Sequence, residues 1–270
     1  MKSHPAEFYH AAIHSVYPNA YNIRQPYVLG RISPVFICDT MSGPVVCKFN
    51  DRDVINRNYH MSALLNLADI PVPQTLPHSF CGAHFESYDY CPDKTLYERI
   101  LSGASDAQIF QVYQQAFEIQ KNIMQINPRD IDLKWGKYAH ETFAINQRAV
   151  LPPVLARIYG VIYKALSYGG QMRLQHNDLW KKNILVDENF NLTRLIDLDM
   201  IAVSNVNFSA MQMLCRYPLN NYDEIIQCYE DTLATKLNKP AIYSGMRAYN
   251  MLQIVTKAFY RGRNFISVRR

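Results

Sequence analysis

The first third of the chain shows the residue pattern of an antiparallel sheet. Residues 27–49 read YVLGRISPVFICDTMSGPVVCKF, in which two runs of β-branched and aromatic residues flank the turn-forming segment Met41 to Pro44. This pattern predicts a β-hairpin. Lys48 lies near the end of its second strand, between apolar residues.

Helical patterns dominate most of the remaining chain. Apolar residues recur at helical spacing over residues 55–67, and strand-like residues follow up to Tyr90. Beyond Pro92 the pattern is helical except for one short β-like patch, and Ser105 with Gln108 forms a capping box at the start of the longest helix. Helices are predicted over residues 95–100, 106–126 and 153–168 and over most of the chain after residue 220. This order predicts an α+β fold rather than the regular β–α alternation of a doubly wound sheet.

The composition is that of an ordinary globular protein. Hydrophobic residues make up 49% of the 270 residues and charged residues 19%, and no repetitive tract indicates disorder. The amino terminus lacks the apolar core of a signal peptide, and no segment approaches the roughly 18 apolar residues of a membrane span. We therefore expect a cytoplasmic protein without a membrane span. Its six cysteines are scattered, which predicts reduced thiols, several of them buried.

The net charge of +5 arises in the last quarter of the chain. Residues 1–199 hold 19 basic and 19 acidic side chains, whereas residues 200–270 hold nine basic and four acidic ones. Such an imbalance is typical of a solvated face, or of contact with an anionic substrate or surface. Both interpretations stay open at this point.

The β-like patch within the helical half, residues 172–202, concentrates oxygen-bearing side chains. His176-x-Asp178 is followed by Asn183, and Asp197 comes directly after the second of two short apolar strands, which we expect to form a hairpin. Phosphoryl transfer from ATP requires a carboxylate that orients the acceptor hydroxyl and oxygen ligands that hold Mg2+ against the phosphates. Asp178 suits the first task, and Asn183 and Asp197 suit the second.

The pattern His-x-Asp-x-x-x-x-Asn, followed by an apolar-Asp-x-Asp segment, resembles the aminoglycoside phosphotransferase and choline kinase group, small-molecule kinases that share the protein-kinase fold. The similarity covers residues 27–201. It implies a two-lobed, protein-kinase-like α+β fold. A small β-rich lobe over residues 1–91 would bind the nucleotide, and a larger helical lobe over residues 92–270 would carry the catalytic loop and the acceptor site. ATP and Mg2+ are the implied cofactors.

The resemblance also implies a role for each residue of the patch. It makes Asp178 the catalytic base and His176 a structural brace of the loop. It makes Asn183 and Asp197 the magnesium ligands. Asp199 occupies the second acidic position of the family pattern, where it would assist the metal.

The first third of the chain offers the nucleotide-binding features of the family in the same order. Lys48 resembles the lysine that contacts the α- and β-phosphates, although a lysine on a strand edge that reaches for water has the same local pattern. Asp89 and Cys91 fall where the family's hinge holds adenine through backbone groups, a position that an exposed loop acid would fill equally well. In the segment expected to cover the phosphates, Leu29 to Pro34, Gly30 is the only glycine, and Ser33 or backbone amides could cap a phosphate.

One departure from the family pattern concerns the partner of Lys48. The helix after this lysine normally carries a glutamate that pairs with it, yet residues 54–68 contain no acidic residue, and His60 occupies the expected place. Asp51 or Asp53 could substitute for the glutamate, or phosphate alone could hold the lysine.

These features predict an ATP- and Mg2+-dependent kinase that phosphorylates a hydroxyl of a small molecule. The Ala-Pro-Glu signature of protein kinases is absent after Asp199, where residues 200–215 instead run into apolar, helix-like sequence. The basic last quarter disfavours polycationic aminoglycosides, so we expect a neutral or anionic acceptor such as a sugar, an amino alcohol or a lipid head group. The alternative is a nucleotide-binding pseudokinase or regulatory module, because the helix glutamate is missing and the loop expected over the phosphates has a single glycine. No nucleic acid partner is expected, and the sequence leaves the oligomeric state open.

Overall fold

The fold is given by a computed structural model that describes residues 4–26, 33–127, 161 and 171–251. The chain divides into two compact units. The first unit comprises Met1–Lys94 and Thr193–Asp199, and the second comprises Thr95–Leu192 and Met200–Arg270. The sequence predicts a nucleotide-binding lobe over residues 1–91 and a catalytic lobe over residues 92–270. These boundaries and the functions of the two lobes stay predictions.

The first unit is built on a five-stranded antiparallel sheet. Its strands are β1 (Tyr21–Arg24), β2 (Val35–Thr40), β3 (Gly43–Asn50), β4 (Leu76–Phe80) and β5 (Ala83–Asp89). They lie in the order β1-β2-β3-β5-β4. The predicted hairpin is confirmed as β2 and β3, in which Thr40 pairs with Gly43 across the turn. Gly43 has a φ of 121°, a conformation that glycine adopts without the steric cost of a Cβ.

Two helices, α1 (Ala6–Val16) and α2 (Arg52–Leu67), pack on this sheet. The helix expected over residues 55–67 is confirmed as α2. Every second residue of β3 lies in one hydrophobic core with α1. This core includes Tyr9, Ile13, Val45, Cys47 and Phe49. Because successive strand residues point to opposite faces, Lys48 lies on the other face of the sheet.

The second unit is mainly helical. Its described helices are α3 (Leu96–Leu101), α4 (Asp106–Gln125), α5 (Val206–Leu214), α6 (Tyr222–Thr232) and α7 (residues 239–251). The predicted capping box at the start of α4 is confirmed, because Ser105 accepts from the Gln108 N–H and the Gln108 side chain accepts from the Ser105 N–H. The helix predicted over residues 153–168 lies, apart from residue 161, outside the described residues.

Short strands accompany these helices. They are β6 (Lys94–Thr95), β7 (Met172–Gln175), β8 (Ile184–Val186), β9 (Leu192–Leu195) and β10 (Ala202–Asn205). In the second unit β7 pairs with β10 in antiparallel register, with Gln175 opposite Ala202, and α4 packs against β7 and α6. The helix-like interpretation of residues 200–215 is therefore wrong for its first part, which forms β10 before α5 begins. Short buried apolar runs fit a strand and a helix equally well, and pairing with β7 decides this one.

The composition led to two further expectations, one about the cysteines and one about membrane-spanning helices. All six cysteines are free thiols, and Cys38 and Cys47 are buried, as predicted. None of the helices that the structure describes has both the length and the apolar character needed to span a membrane.

We expect Ser105→Ala to destabilise the protein by about 1 kcal/mol, because it removes the side chain that caps α4. Ser105→Asp keeps an N-cap acceptor and should retain most of the stability. Urea denaturation of the two variants beside the wild type measures the difference. Equal stability of the alanine and aspartate variants would contradict a capping role.

Candidate active site

Lys48 lies in a buried ionic cluster of the first unit. Its Nζ is 2.7 Å from Asp197 Oδ1, 2.8 Å from Asp199 Oδ1 and 3.9 Å from Glu86 Oε1. Only 8% of the Lys48 side chain is exposed. Burial alone would lower the pKa of Lys48, but the three carboxylates together raise it well above its ordinary value. The lysine therefore carries a fixed positive charge.

The glutamate that pairs with Lys48 comes from a strand. Lys48 and Glu86 are directly opposite each other in the β3–β5 register, and opposed residues of an antiparallel pair share a face of the sheet. Among the described residues, neither Asp51 nor Asp53 forms an ion pair with Lys48. The prediction that Asp51 or Asp53 replaces the helix glutamate is therefore wrong. The carboxylates that pair with Lys48 are those of Glu86 and of the two aspartates after β9, Asp197 and Asp199.

Helix α2 contributes an amide to this cluster. Asn58 Nδ2 donates to Glu86 Oε1 at 3.2 Å and to Asp199 Oδ1 at 2.7 Å. Asn50 Nδ2 donates to Asp199 Oδ2 at 2.9 Å. His60, which stands at the place expected for the helix glutamate, is exposed. Asn58 is the helix residue that links the carboxylates of Glu86 and Asp199, and Arg57 of the same helix donates to the carbonyl oxygen of Asp199.

The acids of the cluster differ in their protonation. Burial raises the pKa of Glu86 to about 7, although the charge of Lys48 acts in the opposite direction. Asp199 is also subject to burial, which by itself raises its pKa, but Lys48 and the Asn58 amide hold the pKa below its ordinary value. Asp199 is therefore ionised at neutral pH, while Glu86 titrates near it.

Asp197 is the acid of the cluster that best fits a metal ligand. One of its oxygens accepts from Lys48, and among the described residues no donor contacts the other. Its side chain is 40% exposed, whereas both oxygens of Asp199 already accept hydrogen bonds. The φ of Asp197 is 64°, in the left-handed region that aspartate tolerates better than most residues.

The segment predicted to be the catalytic loop lies in the second unit, and within it Asn183 contacts Asp178. Asn183 Nδ2 donates to Asp178 Oδ2 at 2.7 Å and to the Asp178 carbonyl oxygen at 3.1 Å. Both partners are acceptors, so the amide must turn its NH2 group toward Asp178. The Asn183 Oδ1 thus stays available for another partner, as a metal ligand requires.

Arg216, a residue that sequence reasoning missed, forms an ion pair with Asp178. It follows α5, and its Nη1 contacts Asp178 Oδ1. The two side chains are 27% and 14% exposed, respectively. No motif connects residues so far apart in the chain, so the sequence carries no signal for this contact.

The residues between β7 and Asp178 hold the loop in place. His176 is fully buried, and its backbone N–H donates to Gln120 of α4 at 3.1 Å. Asn177, which sequence reasoning also missed, has a φ of 58°. Its Nδ2 donates to the carbonyl oxygens of Met200 and Ala202. The predicted role of His176 as a brace stays a prediction, and Asn177 shares the work of fixing this loop.

The other predicted nucleotide-binding residues are placed as follows. Ser33 is buried just before β2. Asp89 ends β5, and its carbonyl oxygen accepts from Arg194 at 3.3 Å. Cys91 is half-buried beside Asp93. Gly30 lies outside the described residues, and the nucleotide-binding roles of all four residues stay predictions.

Comparison with known families identifies the protein class. Residues 24–208 match the model of APH, the phosphotransferase enzyme family. This match covers more than half of the chain, so the protein belongs to that family. It is an ATP-dependent phosphotransferase for small molecules, as predicted. No curated protein sequence matches the chain.

Solved structures confirm the predicted two-lobed, protein-kinase-like α+β fold. An aminoglycoside-3'-phosphotransferase of type VIII matches with a TM-score of 0.66 at 12% identity, over 90% of this chain and 98% of that one. The GDP and kanamycin complex of APH(2")-IIia has a TM-score of 0.67 at 14% identity, over 96% and 95%. The macrolide 2'-phosphotransferase MphH from Brachybacterium faecium has a TM-score of 0.53 at 16% identity, over 89% and 87%.

We expect Glu86→Gln to gain stability relative to the wild type as the pH rises from about 5 to about 8. Between its ordinary value of 4.5 and its folded value of about 7, the folded state retains a proton that the unfolded state has lost. The contribution of Glu86 to stability therefore falls as the pH rises through this range. Glutamine does not titrate, so the difference between variant and wild type should grow by on the order of 1–3 kcal/mol.

Urea denaturation of both proteins at the two pH values measures this difference. Glu118→Gln is the matched control, because Glu118 is 60% exposed and its replacement should give a difference that hardly changes with pH. A pH-independent difference for Glu86→Gln would show that Glu86 is not a buried, titrating acid.

Proposed function

We propose that this protein catalyses Mg2+- and ATP-dependent phosphorylation of a hydroxyl group on a neutral or anionic small molecule, such as a sugar, an amino alcohol or a lipid head group. The observation that carries the proposal is the hydrogen bond from the Asn183 amide to Asp178. It fixes a carboxylate that can accept a proton and leaves an amide oxygen for a metal. Family membership supports the same chemistry.

In this proposal Asp178 orients the acceptor hydroxyl and receives its proton. The hydroxyl oxygen forms a bond to the γ-phosphorus of ATP, the bond from that phosphorus to the β–γ bridging oxygen breaks, and ADP leaves. Arg216 and Asn183 each contact one oxygen of the Asp178 carboxylate, which keeps its rotamer fixed and leaves each oxygen a second lone pair for the acceptor hydroxyl. A fixed carboxylate favours a productive geometry for proton transfer.

The polyphosphate would be bound by Lys48, and the metal by Asp197 and Asn183. The ammonium of Lys48 is charged and held by carboxylates, which suits contact with the α- and β-phosphates. The free oxygen of Asp197 and the Asn183 Oδ1 fit the oxygen ligands that Mg2+ prefers. Bound Mg2+ supplies positive charge that offsets the phosphates. Asp199, whose oxygens are occupied, would assist indirectly by holding Lys48 in place.

The adenine base would contact backbone groups at Asp89 and Cys91, and Ser33 or Gly30 would lie over the phosphates. Arg194 already donates to the Asp89 carbonyl, which fixes the backbone at the end of β5. This part of the proposal rests on the family's order of elements. Other members with similar folds carry a nucleotide in their structures, for example the GDP complex of APH(2")-IIia.

The pseudokinase alternative loses its main support. It draws on the missing helix glutamate and on the loop with a single glycine, and Glu86 supplies a carboxylate to Lys48 from a strand. The hydrogen bond between Asn183 and Asp178 and the partly exposed carboxylate of Asp197 support roles in proton transfer and metal binding. A catalytic role therefore explains more of the site than nucleotide binding alone.

Replacing Asp178 with Asn should lower ATP turnover by about a hundredfold to ten-thousandfold, because the proton acceptor is lost. The change keeps the size of the side chain and an acceptor for Asn183, so ATP binding should be nearly unchanged. ADP formation and a thermal-shift titration with ATP and Mg2+ provide the two measurements. Asp231→Asn, on the exposed part of α6, is the control. Turnover at the wild-type rate in Asp178→Asn would refute the assignment of the base.

Replacing Asp197 with Asn should remove most of the effect of Mg2+ on ATP binding. We expect the affinity for ATP with Mg2+ to fall by about tenfold to a hundredfold, the value of one charged contact. Asp199 continues to neutralise Lys48 in this variant, so binding of ATP without Mg2+ should change less. The measurement is the ratio of the dissociation constant of ATP without Mg2+ to that of ATP with Mg2+. A ratio equal to that of the wild type would rule out Asp197 as a ligand.

A further inference from the structure

Three cations gather around two aromatic rings beside the catalytic loop. Lys182 Nζ lies 4.9 Å from the centre of the Tyr97 ring and 5.1 Å from that of Trp180. Arg216 Cζ lies 5.4 Å from the Trp180 ring, and Lys181 Nζ lies 5.4 Å from the Tyr97 ring. We refer to Lys181, Lys182 and Arg216 as the cationic cluster. All three residues are half-buried and belong to the second unit.

The charges of the cationic cluster are only partly balanced. Asp178 pairs with Arg216, but within the described part of the chain no carboxylate forms an ion pair with Lys181 or Lys182. Burial and the charge of Lys182 lower the pKa of Lys181, so the two ammonium groups repel each other. The aromatic faces offset this repulsion by about 0.5–1 kcal/mol for each contact, and an anionic ligand would stabilise the three cations further.

We propose that the acceptor carries an anionic group, a phosphate or a carboxylate, and that the cationic cluster binds this group. The inference rests on the proposed function and deepens it, because it narrows the acceptor from neutral or anionic to anionic. Arg216 connects the cluster to the chemistry, since it contacts both Asp178 and the Trp180 ring. A group that binds Arg216 is thereby placed next to the carboxylate that receives the hydroxyl proton.

The geometry of Arg216 suits a planar or tetrahedral oxyanion. A guanidinium has five N–H donors in a fixed fork, of which Asp178 occupies Nη1. The contact with the Trp180 ring and the pair with Asp178 restrict the guanidinium, so it loses little freedom when it binds a second anion. A polycationic acceptor would be repelled by the same charges, and a neutral one would leave them unbalanced.

The phosphates of the nucleotide have the same chemistry as the proposed ligand, so the experiment must separate the two sources. The chain has two tryptophans, Trp135 and Trp180, and Trp135→Phe leaves Trp180 as the single reporter of fluorescence. Inorganic phosphate is titrated against this protein at constant ionic strength, with chloride as the comparison anion. The titration is repeated with a saturating non-hydrolysable ATP analogue and Mg2+.

We expect a saturable change in Trp180 fluorescence with phosphate that persists when the ATP analogue is bound. Lys182→Gln and Arg216→Gln, made in the Trp135→Phe background, should each weaken phosphate binding by about tenfold to a hundredfold. Arg173→Gln removes an exposed cation of β7 that takes no part in the cluster and should leave phosphate binding unchanged. Lys182→Gln leaves the Asp178–Arg216 pair intact, so it tests the proposal even if Arg216→Gln fails to fold.

A second measurement uses substrate pairs that differ in one anionic group, such as glucose with glucose 6-phosphate and galactose with galacturonate, with kanamycin as a cation. We expect the anionic member to give the higher rate of ADP formation, and Lys182→Gln to reduce that preference. The inference is overturned if phosphate gives no saturable change, if the ATP analogue abolishes the change, or if the neutral or cationic compounds are preferred. Binding of the ATP analogue is followed separately by thermal shift, and its absence would count against the proposed function itself.

Discussion

The buried positive charge of Lys48 is the constraint on which the site of the first unit depends. An ammonium that is taken out of water is costly unless opposite charges and hydrogen bonds replace the solvent. Glu86 supplies one opposite charge from β5, and Asp197 and Asp199 supply two more from the segment after β9. These ion pairs help to explain why Thr193–Asp199, which is remote in sequence, belongs to the first unit. The amides of Asn50 and Asn58 complete the arrangement by bonding to the carboxylates.

Features that are local in sequence could be predicted, and features that depend on distant pairing could not. The β2–β3 hairpin, the capping box of α4 and the Asp178–Asn183 loop all involve neighbouring residues whose spacing has a direct structural meaning. The partnership of Lys48 with Glu86 depends on strand register, and a shift of one residue would turn Glu86 to the other face. Arg216 is joined to Asp178 only by the tertiary fold. β10 was missed because its four residues are too few for a periodic pattern that distinguishes a strand from a helix.

The comparisons establish the family and the fold, and the acceptor must be inferred from this chain. The similar structures share 12–16% of their residues with it, a level at which the course of the backbone persists while pocket side chains differ. Names of aminoglycosides and macrolides therefore describe those proteins. For this protein the side chains that inform about the acceptor are its own. The cations around Trp180 would repel a polycationic acceptor.

The origin of Glu86 in a strand has a consequence for regulation. In protein kinases the glutamate that pairs with the lysine lies on a mobile helix, and moving that helix switches the enzyme on and off. Here lysine and glutamate are neighbours across a hydrogen-bonded ladder in the interior of the sheet, and the helix adds the Asn58 amide and the Arg57 guanidinium. Rotation of α2 cannot separate the two charges without breaking the sheet. The pairing is therefore built in when the sheet folds and does not depend on the position of α2.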